Sequence, residues 1–371
     1  MQISGYSRRD HRVNNLAERI ASSQSNSQGF ERFKHDAERL ISRDQDGDGK
    51  AFGQKVKKCF PESDFFVDLD GSNAEQKHDV ERFLRVLFND PFVTPSRDGM
   101  GMFHAEAASW RSSDLSRQVG SAICTSEGDV VALGCNEVPK PFGGLYWEGD
   151  VHDGRDFQLG KNAGNLQKRL IVAEIFDRLL EDDAFEPAVE RLNELKKHVV
   201  QGRDDDTALE DLQALNVIEY GRTVHAEMAA ISDAASRGVH VAGCTMYVNT
   251  FPCHICARHI VASGIKRLVY VEPYPKSLTA RLFDDSIAVD PKSEVPEKVV
   301  FECFRGVAPK IFRFAFNAQA ARKDEKGNPI RVKKSESSTK MNRYLTSYIA
   351  MERDVMLRLL PTIHKQNGVT A

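Results

Sequence analysis

His225-Ala226-Glu227 and Pro252-Cys253-His254-Ile255-Cys256 constrain this chain more than any other feature, because each places donor atoms where a helix begins. Met228-Ala229-Ala230-Ile231, continued by Ala234-Ala235, is an alanine-rich run that favours helix and stops at Gly238. Pro252 suits the start of a second helix, from Cys253 to about Ser263, closed by Gly264. His225 and Glu227 then fall on one first turn, while Cys253 and Cys256 share a face of the other helix. The apolar stretch Cys244-Thr245-Met246-Tyr247-Val248 between them reads as a strand. Helix, strand and helix in this order predict a layered α/β arrangement.

A catalytic zinc keeps three protein ligands and leaves a fourth position for water. His225, Cys253 and Cys256 fill that count with imidazole and thiolate, and the helix dipole at Cys253 favours thiolate over thiol. Glu227 binds no metal in this reading and is free to move protons. Zinc with such a carboxylate is the equipment of nucleobase deamination, in which water attacks a ring carbon and protons return to the ring and to departing ammonia. Zinc brings the pKa of water from about 16 to about 7, and a placed carboxylate adds roughly 100-fold to 10,000-fold in rate. A non-catalytic zinc module would need a fourth protein ligand and no such carboxylate.

Two other patterns imitate sites. His104-Ala105-Glu106 repeats the tripeptide, but the next cysteines, Cys124 and Cys135, lie eleven apart in strand-like segments and read as buried small hydrophobes. Asp44, Asp46, Asp48 and Gly49 mimic a calcium loop, yet its twelfth position carries Lys55 where a bidentate glutamate belongs. A solvated acidic turn is expected there.

With 371 residues, a net charge of -3 and no apolar run near the ~20 residues of a membrane span, the expectation is a soluble, cytoplasmic chain that engages no membrane. The N-terminus runs into Arg8-Arg9-Asp10 without an apolar core, so no secretory signal is expected, and seven cysteines fit reduced thiols. Near-neutral charge argues against a long nucleic acid as substrate, although one as regulator stays open, and it leaves a small nucleotide fully compatible. Arg322 to Arg343 holds eight Lys or Arg and reads as a solvated loop. In an alternative reading, deamination of single-stranded nucleic acid, it is the electrostatic groove.

Helices are expected over Arg12 to Ser22, Gly29 to Ser42 and Ala74 to Phe88, with a buried strand at Asp64 to Leu69. Strands at Val119 to Cys124, Val130 to Cys135, Cys244 to Asn249, Arg267 to Val271 and Val299 to Phe304 give a mixed five-stranded sheet in a three-layer α/β/α core. About eighty residues between Pro139 and Glu219 form a helical insertion, Leu166 to Leu180 and Glu186 to Val199, too long for an ordinary loop. A lid, an oligomer contact and a decorative helical hairpin all remain open for it.

Ser116-Arg117-Gln118-Val119-Gly120, Gly134-Cys135-Asn136-Glu137-Val138-Pro139 and the two metal motifs resemble the deoxycytidylate deaminase family over residues 100 to 275. The chain resembles, more narrowly, bacterial anti-phage dCTP/dCMP deaminases in which a P-loop kinase-like domain precedes the deaminase. Gly53-Gln54 and Phe60 to Phe66 resemble the tail of that domain. The resemblance implies residues 1–98 as that tail, 99–310 as the cytidine deaminase-like domain with its insertion at about 140–218, and 311–371 as a basic loop and C-terminal helix. It implies deamination of dCMP, dCTP or both, with nucleotide depletion as a defence, a homo-oligomer, and zinc as cofactor. His225, Cys253 and Cys256 match its zinc ligands, Glu227 its proton shuttle and Asn136 its sugar contact, while Arg117 and Tyr270 fall to phosphate and base. Asn136, read by itself, is equally a turn residue. The chain departs from the fused pattern in having no GxxxxGK[ST] loop, so ATP binding is not expected. Either it begins midway through the longer protein or the front half has been lost.

Overall fold

The computed structural model describes residues 1–23, 30–46, 56–160, 162–181, 188–201, 217–274, 277–291, 293, 295–318, 321–331, 339–340 and 348–366. Asp48, Gly49 and Lys55 of the calcium-loop pattern, Gly53-Gln54 and much of the basic stretch lie outside them. Two compact units form, one from Met1–Phe83 with Thr94–Arg313 and one from Leu84–Val93 with Phe314–Ala371.

The larger unit is built on strands β1 (Ile3–Tyr6), β2 (Phe65–Asp68), β3 (Gly120–Cys124), β4 (Val130–Cys135), β5 (Thr245–Thr250), β6 (Arg267–Glu272), β7 (Ile287–Val289), β8 (Val299–Cys303) and β9 (Gly306–Val307). Six of these make a mixed sheet in the order β4-β3-β5-β6-β8-β7, antiparallel at β4-β3-β5 and parallel from β5 onward. The sixth strand, beyond the five expected, is the edge strand β7. Its three residues are too few to show a period in sequence, and it takes its place by pairing with β8.

Side chains alternate across this sheet with the period of two that strands impose. Met246, Val248, Leu268 and Phe301 pack on one face with Ala230, Ala234, Ala257 and Ile260 of the helices Ala226–Ser236 and His254–Ala262. Tyr247, Val269 and Val271 point to the other face, against Met102 and Ala105 of the helix Arg97–Ser109. The result is a three-layer α/β/α core. Each large apolar side chain buried there contributes about 1.5–3 kcal/mol.

Two glycines set the spacing of the layers. A Cβ on Gly120 would lie 1.9 Å from the Ala105 carbonyl oxygen, and one on Gly134 would lie 2.2 Å from that of Ala226. Strand and helix backbones therefore touch on both faces at adjacent strand positions, since Gly134 pairs with Ser121.

A second sheet, β1-β2-β9, carries the first residues of the chain. β1 is parallel to β2, Ile3 opposite Phe65, and its four residues gave no sequence signal of a strand. The helices Arg9–Ser23 and Lys34–Asp46 pack through Val13, Ala17, Ala21, Phe33, Ala37 and Ile41. The insertion forms the helices Ala163–Leu180 and Val189–Gln201, joined at Val172, Leu195 and Val199. In the smaller unit the Lys340 amide donates to the Leu87 carbonyl at 2.8 Å, and its ammonium to the Ala315 carbonyl at 2.7 Å. No helix among the described residues is long and apolar enough to cross a membrane.

Candidate functional site

His225 is the N-cap of the helix Ala226–Ser236, with extended backbone at φ -70° and ψ 155°, and its side chain makes no capping bond. The imidazole is therefore free to turn away from the helix. Backbone pairing fixes its approach: Glu137 and Val224 exchange hydrogen bonds of 3.2 and 3.0 Å, tying the segment after β4 to the residue before His225. The Glu137 carboxylate is fully buried and accepts from the Ser113 amide and hydroxyl and the Val138 amide, which holds that segment rigid.

Cys253 is the N-cap of the helix His254–Ala262 and accepts from the Cys256 amide at 3.5 Å. The loop before it is braced from two sides. Ser277 and Thr279 hydroxyls both donate to the Pro252 carbonyl, and the Phe251 amide donates to Glu272. Cys253 Sγ then stands 3.3 Å, and Cys256 Sγ 3.4 Å, from His225 Nδ1. The three donor atoms all lie within 4.8 Å of one another.

Glu227, on the first turn after His225, is 4% exposed. Burial pushes its carboxyl above the usual carboxylate range, and the nearby Cys253 adds to the rise. The Cys253 thiol is drawn down to about 4, first by its hydrogen bond with Cys256 and, against burial, by the His225 imidazole. His225 is pushed up to about 9, chiefly by its bond to Cys253. Cys256 is pushed well up by the same thiol partner and by burial. Anionic donors crowded this tightly share protons or share a cation. One imidazole and two sulfurs at mutual contact are a donor set that zinc takes readily.

This cluster borders a cavity of about 270 Å³. His225, Glu227 and Cys253 line it, together with Asn136 and Arg117. The Asn136 amide is engaged on both sides, its oxygen accepting from the Val119 amide at 2.7 Å and its nitrogen donating to the Arg117 carbonyl at 2.8 Å. Arg117 pairs with Glu272 at 3.1 Å and lies over the Tyr274 ring. Tyr270 is not among the lining residues. It is buried, its hydroxyl donates to Asp290 at 2.6 Å, and its ring meets Phe251 edge-on at 4.9 Å, so it reaches the cavity only through Phe251.

Phe251 and Tyr274 line the cavity without having stood out in sequence, as do Asp114, Thr223, Arg222 and, from the insertion, Asp156, Asn162 and Lys168. Phe251 adjoins the cysteine motif, and Arg222-Thr223 adjoins the histidine motif. Proximity to those motifs was the one signal available for them. The insertion residues gave none, because only the folded chain returns them to the cavity.

Residues 95–272 match the family model described as "Cytidine and deoxycytidylate deaminase zinc-binding region". That stretch is similar to the family's zinc-binding region and holds the His225, Cys253 and Cys256 triad. Among named relatives, the deoxycytidylate deaminase of Enterobacteria phage T2 is 52% identical over 54 residues, covering 15% of this chain and 29% of that protein. ComE operon protein 2 of Bacillus subtilis is 36% identical over 80 residues, 21% of this chain and 42% of that one. The chain thus spans less than a third of the phage enzyme and under half of the bacterial protein. Among solved structures, the dCMP deaminase of cyanophage S-TIM5 is 14% identical with a TM-score of 0.29, covering 56% of this chain and 98% of that one.

Proposed function

We propose that this chain is a zinc-dependent hydrolytic deaminase that converts deoxycytidine nucleotides to deoxyuridine nucleotides and ammonia. The observation that carries the reading is the meeting, in one cavity, of three mutually close zinc donors with a buried carboxylate that is not one of them. His225, Cys253 and Cys256 would hold the metal, whose Lewis acidity makes water a nucleophile near neutral pH.

The chain's own groups do the rest. Glu227 accepts a proton from the attacking water, delivers it to the ring nitrogen, and hands the second to the departing amine. Burial suits it to this work, because a carboxyl with raised proton affinity holds and releases protons closer to neutral pH. Phe251 supplies an apolar wall beside Cys253, and Asn136 braces the backbone of Arg117 and Val119 with its oxygen and one N–H, so that its second N–H would serve the sugar.

The relatives named deoxycytidylate deaminase support dCMP as the substrate. Turnover of dCTP, nucleotide depletion during phage infection, assembly as a homo-oligomer and the division at residues 98 and 310 belong to the same proposal and rest on sequence resemblance. The test is to incubate zinc-loaded protein with dCMP, dCTP, CMP, CTP and single-stranded DNA and to measure ammonia and uracil products. The deoxycytidine nucleotides should react, and Glu227→Ala should keep its zinc but lose turnover. Equal turnover by that variant contradicts the assignment.

A further inference from the structure

We infer that Asp290 is a positioning residue: through the Tyr270 hydroxyl it fixes where Phe251 stands in the cavity wall beside Cys253. This deepens the proposed function and rests on it. Asp290 directly follows β7 and takes a left-handed backbone at φ 44°, a conformation that residues other than glycine seldom hold and that aspartate tolerates better than most. Such a residue persists where its surroundings over-determine it. Here its polar groups are all engaged. The Asp290 amide donates to the Phe301 carbonyl at 2.8 Å, its carbonyl accepts from the Arg8 guanidinium at 3.4 Å, and its Oδ1 accepts from the Cys303 amide at 2.9 Å. Its Oδ2 accepts from two tyrosine hydroxyls, that of Tyr6 on β1 and that of Tyr270 on β6. One side chain thus joins β1, β6 and β8 at the end of β7.

The tie through Tyr270 leads to the cavity. Asp290 does not line that cavity; it borders a separate small cleft with Tyr6, Arg8 and Asp68, so it acts on the site through another residue. Tyr270 is buried, and its ring meets Phe251 edge-on, at 4.9 Å and 89°. Phe251 also meets the Phe301 ring at 5.9 Å and lines the cavity two residues before Cys253. Tyr6 shares the carboxylate oxygen, but its ring packs on Phe60.

An edge-on aromatic pair has a preferred geometry, and an interior packed like a crystal transmits a displacement. A buried hydroxyl stripped of its acceptor must find another or stay unsatisfied. Freeing the Tyr270 hydroxyl therefore shifts its ring, and the ring carries Phe251 with it. In the proposed reaction the ring under attack lies against this wall, where a misplacement of about 1 Å can cost up to about 100-fold in rate.

The test puts 4-fluorophenylalanine in place of Phe251 and follows its fluorine resonance in zinc-loaded protein, alongside kcat and KM for dCMP. Tyr270→Phe and Tyr6→Phe each remove one hydroxyl from the same oxygen, while Asp290→Gly removes the carboxylate and suits the left-handed backbone. Tyr270→Phe and Asp290→Gly should each move the resonance and lower kcat roughly tenfold, with KM within about twofold of the labelled parent. Combining the two should add little, because they cut the same tie. Tyr6→Phe should leave the resonance and kcat at parent values. A resonance that stays put in Tyr270→Phe and Asp290→Gly, one that moves as far in Tyr6→Phe, or one that moves without loss of kcat overturns the inference. Were the labelled parent inactive on dCMP, the proposed function would fall, and the resonance alone would decide the positioning: a shift confined to Tyr270→Phe and Asp290→Gly upholds it, and any other pattern overturns it.

Discussion

His-Ala-Glu occurs twice in this chain, at 104–106 and at 225–227, and the two copies pack against the sheet in the same way. Ala105 and Ala226 are both fully buried, each with its carbonyl oxygen against a strand glycine, Gly120 on one face and Gly134 on the other. Their surroundings differ. The first copy lies inside the helix Arg97–Ser109, whose N-terminus is capped by Ser96, so His104 and Glu106 project from a helix interior. The second begins its helix, so His225 stands outside the hydrogen-bonded turns and can meet two cysteines from the next helix start. Glu106 accepts a 3.3 Å bond from Asn249, whereas Glu227 is buried beside sulfur. A tripeptide fixes packing; its place in the helix and the neighbouring loop fix chemistry.

The sharpest way to break this comparison is to truncate both acids. Glu227→Ala should lower turnover by roughly 100-fold to 10,000-fold. Glu106→Ala removes one long, partly buried hydrogen bond worth about 1 kcal/mol and should leave turnover near the parent value. Comparable losses in steady-state assays would show that the first copy also serves the reaction.

The glycine contacts come next in size. Gly120→Ala and Gly134→Ala each force a methyl into helix backbone, and each should cost about 3 kcal/mol or more in denaturant unfolding. A tolerated substitution at one and not the other would mean that the layers are not equally close.

A smaller effect separates the faces by pH. Burial opposes ionisation of Asp98, but two bonds from Arg267, at 2.7 and 2.8 Å, with one from Tyr247, hold its carboxyl below its ordinary value of 3.8. A depressed folded value stabilises the protein fully above the unfolded pKa and is lost as pH falls through the folded one. Asp98→Asn should therefore cost about 1 kcal/mol near neutrality and narrow the gap on acidification, a change visible in Tm against pH. A gap that widens toward acid would contradict this. Smallest is the cap: Ser96→Ala should cost about 1 kcal/mol or less, whereas the second copy has no side-chain cap to lose.

Much of this was legible in the residues. Alternation in Met246-Tyr247-Val248 and the strand-turn-strand run through Val119 and Val130 carry local periodicity, so the layered sheet could be read from them. The donors could be read because helix-start signals are local as well. What sequence withheld depends on distant contact. β1 is a strand only because Phe65 to Asp68 pairs with it, and β7 only because β8 does. Tyr270 carries an aromatic ring and a hydroxyl in either setting, and the 2.6 Å bond to Asp290, twenty residues on, is what turns it from the cavity. Lys168 lines the cavity from a helix whose own pattern gives no hint of it.

The most direct measurement of the central claim is X-ray absorption at the zinc edge on metal-loaded protein, paired with metal content of single variants. The account predicts one zinc per chain in a shell with two sulfurs and one imidazole nitrogen, lost in Cys253→Ala and retained in Glu227→Ala. A shell of four protein donors, or full zinc content in Cys253→Ala, would contradict it.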